Sequence, residues 1–162
     1  MISIILAILN KRQMLSTTHS LVSAIIVSKI PSPAISFPLV IITHYLMDSI
    51  PHWDTGSGLS NGTKTRKQSF FHTLIDLTIA ATVVLLLFQI GKSLSIRLWL
   101  GVLLGISPDL VESPALFLNY RPSPIDKLEK FHDYFHRSWK FPYGLIPQVI
   151  IIAIVLLILY FT

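Results

Sequence analysis

An all-α integral membrane bundle is the fold class this chain predicts, and three observations predict it. The 162 residues are 52% hydrophobic and only 13% charged, with a mean hydropathy of +0.65. A water-soluble domain carries about 25% charged residues. The apolar residues also fall into stretches of the length a helix needs to cross a bilayer, about 20 residues for roughly 30 Å of hydrocarbon. Separately, the chain has no cysteine, which removes disulfide frameworks, thiolate metal sites and cysteine nucleophiles together. Any metal must be held by His, Asp, Glu or water. The length allows a single membrane domain, 1–162.

About five spans are expected, from Met14 to Ile30, Pro33 to Ile50, Phe70 to Ile90, Leu94 to Leu118 and Phe141 to Phe161. Pro31 and Pro33 separate the first two into a tight hairpin, because proline cannot continue a helix and biases the residue before it away from αR. Thr55 to Ser69, rich in Gly, Ser, Thr and Asn, reads as a solvated loop before the third span. Leu74 to Ile90 and Leu145 to Phe161 are the most continuous apolar stretches. Between the fourth and fifth spans, Asn119 to Lys140 opens on Arg121, Pro122 and Pro124, and Pro124 to Lys140 reads as a short polar helix. Met1 to Leu9 is apolar but lacks a charged segment before it, so a cleaved signal peptide is not expected. It is an interfacial segment, or else the native chain starts at Met14.

Ten of the 13 Lys and Arg lie at the N-terminus, in the Thr55 to Ser69 loop or in Asn119 to Lys140. Lys29, Lys92 and Arg97 fall on the other side. The positive-inside rule then places the N-terminus and both polar segments in the cytoplasm, at the plasma or inner membrane. The cations are dispersed rather than gathered into one stripe, so no nucleic-acid partner is expected despite the charge of +5. The bilayer is the expected partner, and the sequence is silent on oligomeric state.

The histidines and carboxylates are not dispersed. His19 begins the first span, His44, Asp48, His52 and Asp54 cluster at the end of the second, and His72 and Asp76 begin the third. Asp109 and Glu112 lie in the second half of the fourth, and His132, Asp133 and His136 follow in the polar segment. With alternating topology all lie towards one side of the membrane. His44 and Asp48, His72 and Asp76, and His132 and His136 are each four apart, so each pair shares a helix face. Imidazole and carboxylate suit Zn²⁺ or another divalent ion such as Mn²⁺, and bundles build metal sites from such pairs on facing helices. Simpler readings compete at each position: a histidine bonded between helices at His19, a tautomer fixed by Asp48 at His44, a kinked polar lip at Asp109, an exposed amphipathic helix at His132 and His136. Asp76, about a turn inside an apolar span, costs roughly 2.5 to 3.5 kcal/mol unless something compensates it.

His44-Tyr45-Leu46-Met47-Asp48-Ser49-Ile50-Pro51-His52 resembles the His-Tyr-x-x-Asp…Pro-x-His stretch of the zinc-dependent phospholipase C and S1/P1 nuclease families, which implies His44 and Asp48 as zinc ligands. Thr18-His19-Ser20, Gly105-Ile106-Ser107-Pro108-Asp109 and His136-Arg137-Ser138 resemble pieces of small multi-span proteins described as membrane-bound metal-dependent hydrolases, the LexA-binding inner-membrane family. That resemblance implies a metal-binding helical membrane fold and a hydrolase activity.

The expected function is hydrolysis of a phosphoester or related bond in a lipid-proximal substrate. The foremost metal ligands are His44, Asp48, His72, Asp76, Asp109 and His136, with His19, His52 and His132 as further ones. Glu112 or Asp54 is the candidate general base, and Lys130 or Arg137 the phosphate contact, Arg offering a planar fork for two oxygens. The competing expectation is a non-enzymatic protein that binds or carries metal ions or protons. A carrier needs ionisable groups along a path across the membrane, whereas these crowd one side.

Overall fold

In a computed structural model, residues 14–56, 59 and 62–161 are described, so the readings of Met1 to Leu9 lie outside them. Six α-helices form, with no strand among the described residues: α1 Ser16–Lys29, α2 Pro33–Asp48, α3 Arg66–Val84, α4 Ile96–Leu118, α5 Ser123–Phe135 and α6 Ile146–Phe161. A π turn, Leu85–Gln89, extends α3, and a 3₁₀ turn, Tyr143–Leu145, leads into α6.

Local sequence explains the ends. Thr65 and Gln68 form a reciprocal capping box that starts α3 four residues before its apolar stretch. Ser95 caps α4 by accepting from the Leu98 N–H. Asn119 ends α4 in the left-handed region at φ 56°, a conformation Asn tolerates better than most residues. Pro33 opens α2 at its first position, where the missing N–H costs nothing.

Among the described residues, three helices are long and apolar enough to cross a membrane: Arg66–Gln89, Ile96–Leu118 and Tyr143–Phe161. The first two expected spans form helices of 14 and 16 residues. At 1.5 Å per residue these reach only about 21 and 24 Å, short of the hydrocarbon thickness. α1 is the centre of the bundle, packed against α2, α3, α4 and α6. Two glycines of α4 let it approach. A Cβ at Gly105 would lie 2.8 Å from Ser23 Cβ, and one at Gly101 3.2 Å from Val27 Cβ. Small residues at helix contacts are the means by which backbones come close in lipid.

Away from the polar end an apolar cluster fills part of the interior. Leu21, Ala24, Ile25, Val84, Phe88, Leu98, Val102 and Val155 form one buried cluster. Outside, α6 shows Val149, Ile150, Ile154 and Leu157 at 50% exposure or more, as a lipid-facing helix does.

The expected polar helix from Pro124 to Lys140 ends earlier, at Phe135. Beyond it the backbone pairs with the segment after α2: the Arg137 N–H donates to Asp48 O, His52 N–H to Arg137 O and Trp139 N–H to His52 O. Those bonds replace the helical ones and turn the chain back over the bundle end.

Candidate metal centre

The carboxylate of Asp48, the last residue of α2, stands at the middle of the polar end and is fully buried. Its two oxygens face different neighbours. Oδ2 lies 3.2 Å from His44 Nε2 and 2.5 Å from His132 Nε2. Oδ1 lies 3.2 Å from His19 Nε2 and 3.9 Å from His52 Nε2. His52 Nε2 is in turn 3.0 Å from His136 Nε2.

Two donor groups result, with Asp48 in both. His44, Asp48, Asp109 and His132, all buried, each place a ligand atom within 4.8 Å of every other, and Asp48, His52 and His136 do the same. Five segments supply them: α2, α4, α5, and the two strapped chains after α2 and α5. The residues therefore converge only in the folded bundle.

The outer nitrogens are already engaged. His44 Nδ1 donates to Gly105 O at 2.8 Å and His52 Nδ1 to Ile50 O at 2.7 Å. Both bonds fix the tautomer that leaves Nε2 as a lone-pair donor facing the centre. His132 Nδ1 bonds Glu112 Oε1 at 3.0 Å, the carboxylate–histidine arrangement that orients metal-bound imidazoles. Meanwhile His44 Nε2, Asp48 Oδ1 and both nitrogens of His19 are buried without a hydrogen bond. Leaving such a group unsatisfied costs about 1–3 kcal/mol each. A divalent cation bound by His44 Nε2 and Asp48 would remove that cost at those atoms, so the donor set fits a hard or borderline metal with N and O ligands.

Electrostatics outside the spans point the same way. Burial pulls the His132 pKa down, but its hydrogen bonds to Asp48 and Glu112, together with the Asp109 charge, outweigh burial and raise it to about 11. The carboxylates thus favour positive charge at this place, and a metal binding His132 would displace its proton. Burial holds the His52 pKa below its ordinary value, against the pull of Asp48, so that ring is neutral and able to ligate.

The remaining candidates are placed as follows. His19 stacks on His44 with ring centroids 4.1 Å apart and touches the Asp48 side, although neither donor group includes it. Glu112 sits behind His132 as its positioning partner. Asp54 is buried beside Met14, to which it is bridged, and belongs to neither group. Arg137 pairs with Asp48 and His52 through its backbone, while its guanidinium donates to Tyr134 O and His136 O at the surface. Lys130 is exposed and paired with Asp126. His72 is on an exposed face of α3. Asp76 instead accepts from the Ser16 N–H at 2.5 Å, the Thr17 N–H at 3.2 Å and the Thr17 hydroxyl at 2.7 Å. It caps α1, and that is the compensation its position requires.

Two further residues support the centre. Gln148 is almost fully buried and joins Leu15 N, Thr18 Oγ1, Trp53 O and Gly144 O. Its only signal is that it is the one amide in an otherwise apolar stretch. Tyr45 packs edge-on to His44 and His132, with ring centroids 5.4 and 5.3 Å away, walling the centre with an aromatic side. Comparison with known families, with curated proteins and with solved structures found no match.

Proposed function

We propose that the protein is a membrane-embedded, metal-dependent hydrolase that acts on a phosphoester or related bond of a lipid-proximal substrate. The observation that carries this is the sharing of Asp48 between two donor groups, His44–Asp48–Asp109–His132 and Asp48–His52–His136. Asp48, with one oxygen towards each group, would hold divalent ions together with these histidines and Asp109, and zinc or manganese suits the donors. When bound, such ions would supply Lewis acidity and activation of water.

The protein's own groups do the rest. Glu112 holds His132 in orientation through its hydrogen bond to Nδ1. The Arg137 guanidinium, exposed beside His136, is the group in reach of a phosphate at the surface of the centre. An apolar groove of about 330 Å³ between α1, α2 and α6 runs past Thr43, Met47, Ile50 and Ile154, next in sequence to His44 and Asp48. A substrate tail fits there. The resemblance of the His44 to His52 segment to zinc-dependent phosphoesterases supports the same chemistry.

Carriage of ions across the membrane is the rival reading, and the apolar cluster around Leu21, Val84, Val102 and Val155 speaks against it. A conduit needs polar groups there. Elemental analysis of detergent-purified protein tests the proposal: about one to two equivalents of zinc or manganese are expected, lost in Asp48→Asn. Phosphodiester or phospholipid hydrolysis should vanish in the same variant and in His132→Ala. Metal-free native protein, or full activity in Asp48→Asn, overturns it.

A further inference from the structure

α5 has an inverted character for a helix that caps a bundle. Its buried residues are polar, Glu129 and His132. Its exposed residues include Leu128 at 44%, Phe131 at 53% and Tyr134 at 76%. At about 3.6 residues per turn, the surface divides into three sectors. Glu129 is buried against Arg121, and His132 with the following His136 faces the centre. Asp126, Lys130 and Asp133 form the side away from the apolar residues. Pro124, Leu128, Phe131 and Phe135 make a continuous apolar stripe, spaced four, three and four apart. The stripe is held at one edge by Tyr45, whose ring meets Phe131 at 5.3 Å and Phe135 at 5.5 Å, and is otherwise open.

Its surroundings identify what covers it. α5 joins the end of one candidate span, Leu118, to the start of another, Tyr143. Only four residues precede α5 after Leu118. The helix therefore stays at the level where both spans leave the hydrocarbon. Trp139, Phe141 and Tyr143, each more than half exposed, continue the aromatic character into the next span. Amphipathic rings concentrate at that depth. Lys127 flanks the stripe, as cations do on helices that lie in a headgroup layer.

We propose that α5 is an interfacial helix whose Pro124–Leu128–Phe131–Phe135 stripe lies in the headgroup layer of the same bilayer the spans cross. The bilayer surface then holds the helix that presents His132 and leads to His136. This inference rests on the membrane reading of the three long helices and stands apart from the hydrolase proposal.

The absence of cysteine makes the test direct. Single substitutions Leu128→Cys, Phe131→Cys and Asp133→Cys are labelled with an environment-sensitive fluorophore and reconstituted in phosphatidylcholine–phosphatidylglycerol vesicles. Lipids spin-labelled near the headgroup should quench positions 128 and 131 at least about twofold more than 133, and aqueous iodide should show the reverse order. Equal quenching at all three positions overturns the proposal. So does protection of 128 and 131 from both quenchers that fades as the protein-to-lipid ratio falls, since a second copy of the chain would then cover the stripe. Should Phe131→Cys fail to fold, Leu128→Cys against Asp133→Cys decides alone. Metal content measured on the same samples keeps this outcome separate from that of the metal centre.

Discussion

α1 and α6 pack against each other, yet they are opposites. α1, with four serines, two threonines and His19 among 14 residues, is buried along nearly its whole length. α6, almost uniformly apolar, buries only Gln148 and Val155 among 16. In water the apolar helix would be the central one. In lipid, apolar surface gains nothing by leaving the tails, so helices associate through small residues, close backbones and polar contacts. The contrast teaches that the inside of this protein is specified by what lipid would reject. The metal-ligating groups are the extreme case of that rule.

The contrast breaks most severely where α1 meets α4. Gly105 approaches Ser23 and the His19 backbone, and its own carbonyl receives His44 Nδ1. Gly105→Val adds a branched side chain where even a Cβ would crowd Ser23, so the helices must separate. A loss of about 3 kcal/mol is expected, at the upper end for overpacking, with loss of bound metal. Thermal unfolding by circular dichroism in detergent measures it. An unchanged midpoint would show that α1 does not need this close approach.

A smaller effect separates two buried carboxylates that look alike in the sequence. Asp48 belongs to the centre, whereas Asp76 binds the first turn of α1. Asp76→Asn keeps one acceptor oxygen and loses the charge facing the helix N-terminus. It should cost about 1–2 kcal/mol and leave metal stoichiometry unchanged, while Asp48→Asn empties the site. Elemental analysis of both variants, alongside their melting curves, makes the comparison. If Asp76→Asn loses metal as Asp48→Asn does, the division between cap and centre is wrong.

These two residues also mark how far the sequence could be read. In so apolar a chain each histidine and carboxylate stands out, and the convergence of His44, Asp48, Asp109, His132 and His136 on one end follows from alternating helices and four-residue spacing. His72 and Asp76 carry the same spacing, but a shared face says nothing about which neighbour the face meets. α3 turns His72 outward and Asp76 onto α1. The expected first span forms a helix of only 14 residues. Leu21 to Val27 reads as apolar, but the serines around it mark a helix enclosed by others rather than one bathed in lipid. The early end of α5 was hidden for another reason, since it depends on backbone pairing between Asp48–His52 and Arg137–Trp139, segments about 85 residues apart that no local pattern connects.

The smallest effect is expected on the outer face of α6, and its smallness is informative. Leu157 is 56% exposed. Truncating a buried leucine to alanine in a water-soluble core costs about 2–5 kcal/mol, through lost transfer energy and a cavity. At Leu157 neither contribution arises if lipid or detergent fills the vacated volume, so Leu157→Ala should change stability by less than about 0.5 kcal/mol. Chemical unfolding in mixed micelles is precise enough to see the difference. A cost of several kcal/mol would mean that protein rather than lipid covers this face, and a second copy packed along α6 would then show as a dimer in cross-linking. The opposition between α1 and α6 would in that case describe an isolated chain and not the assembled one.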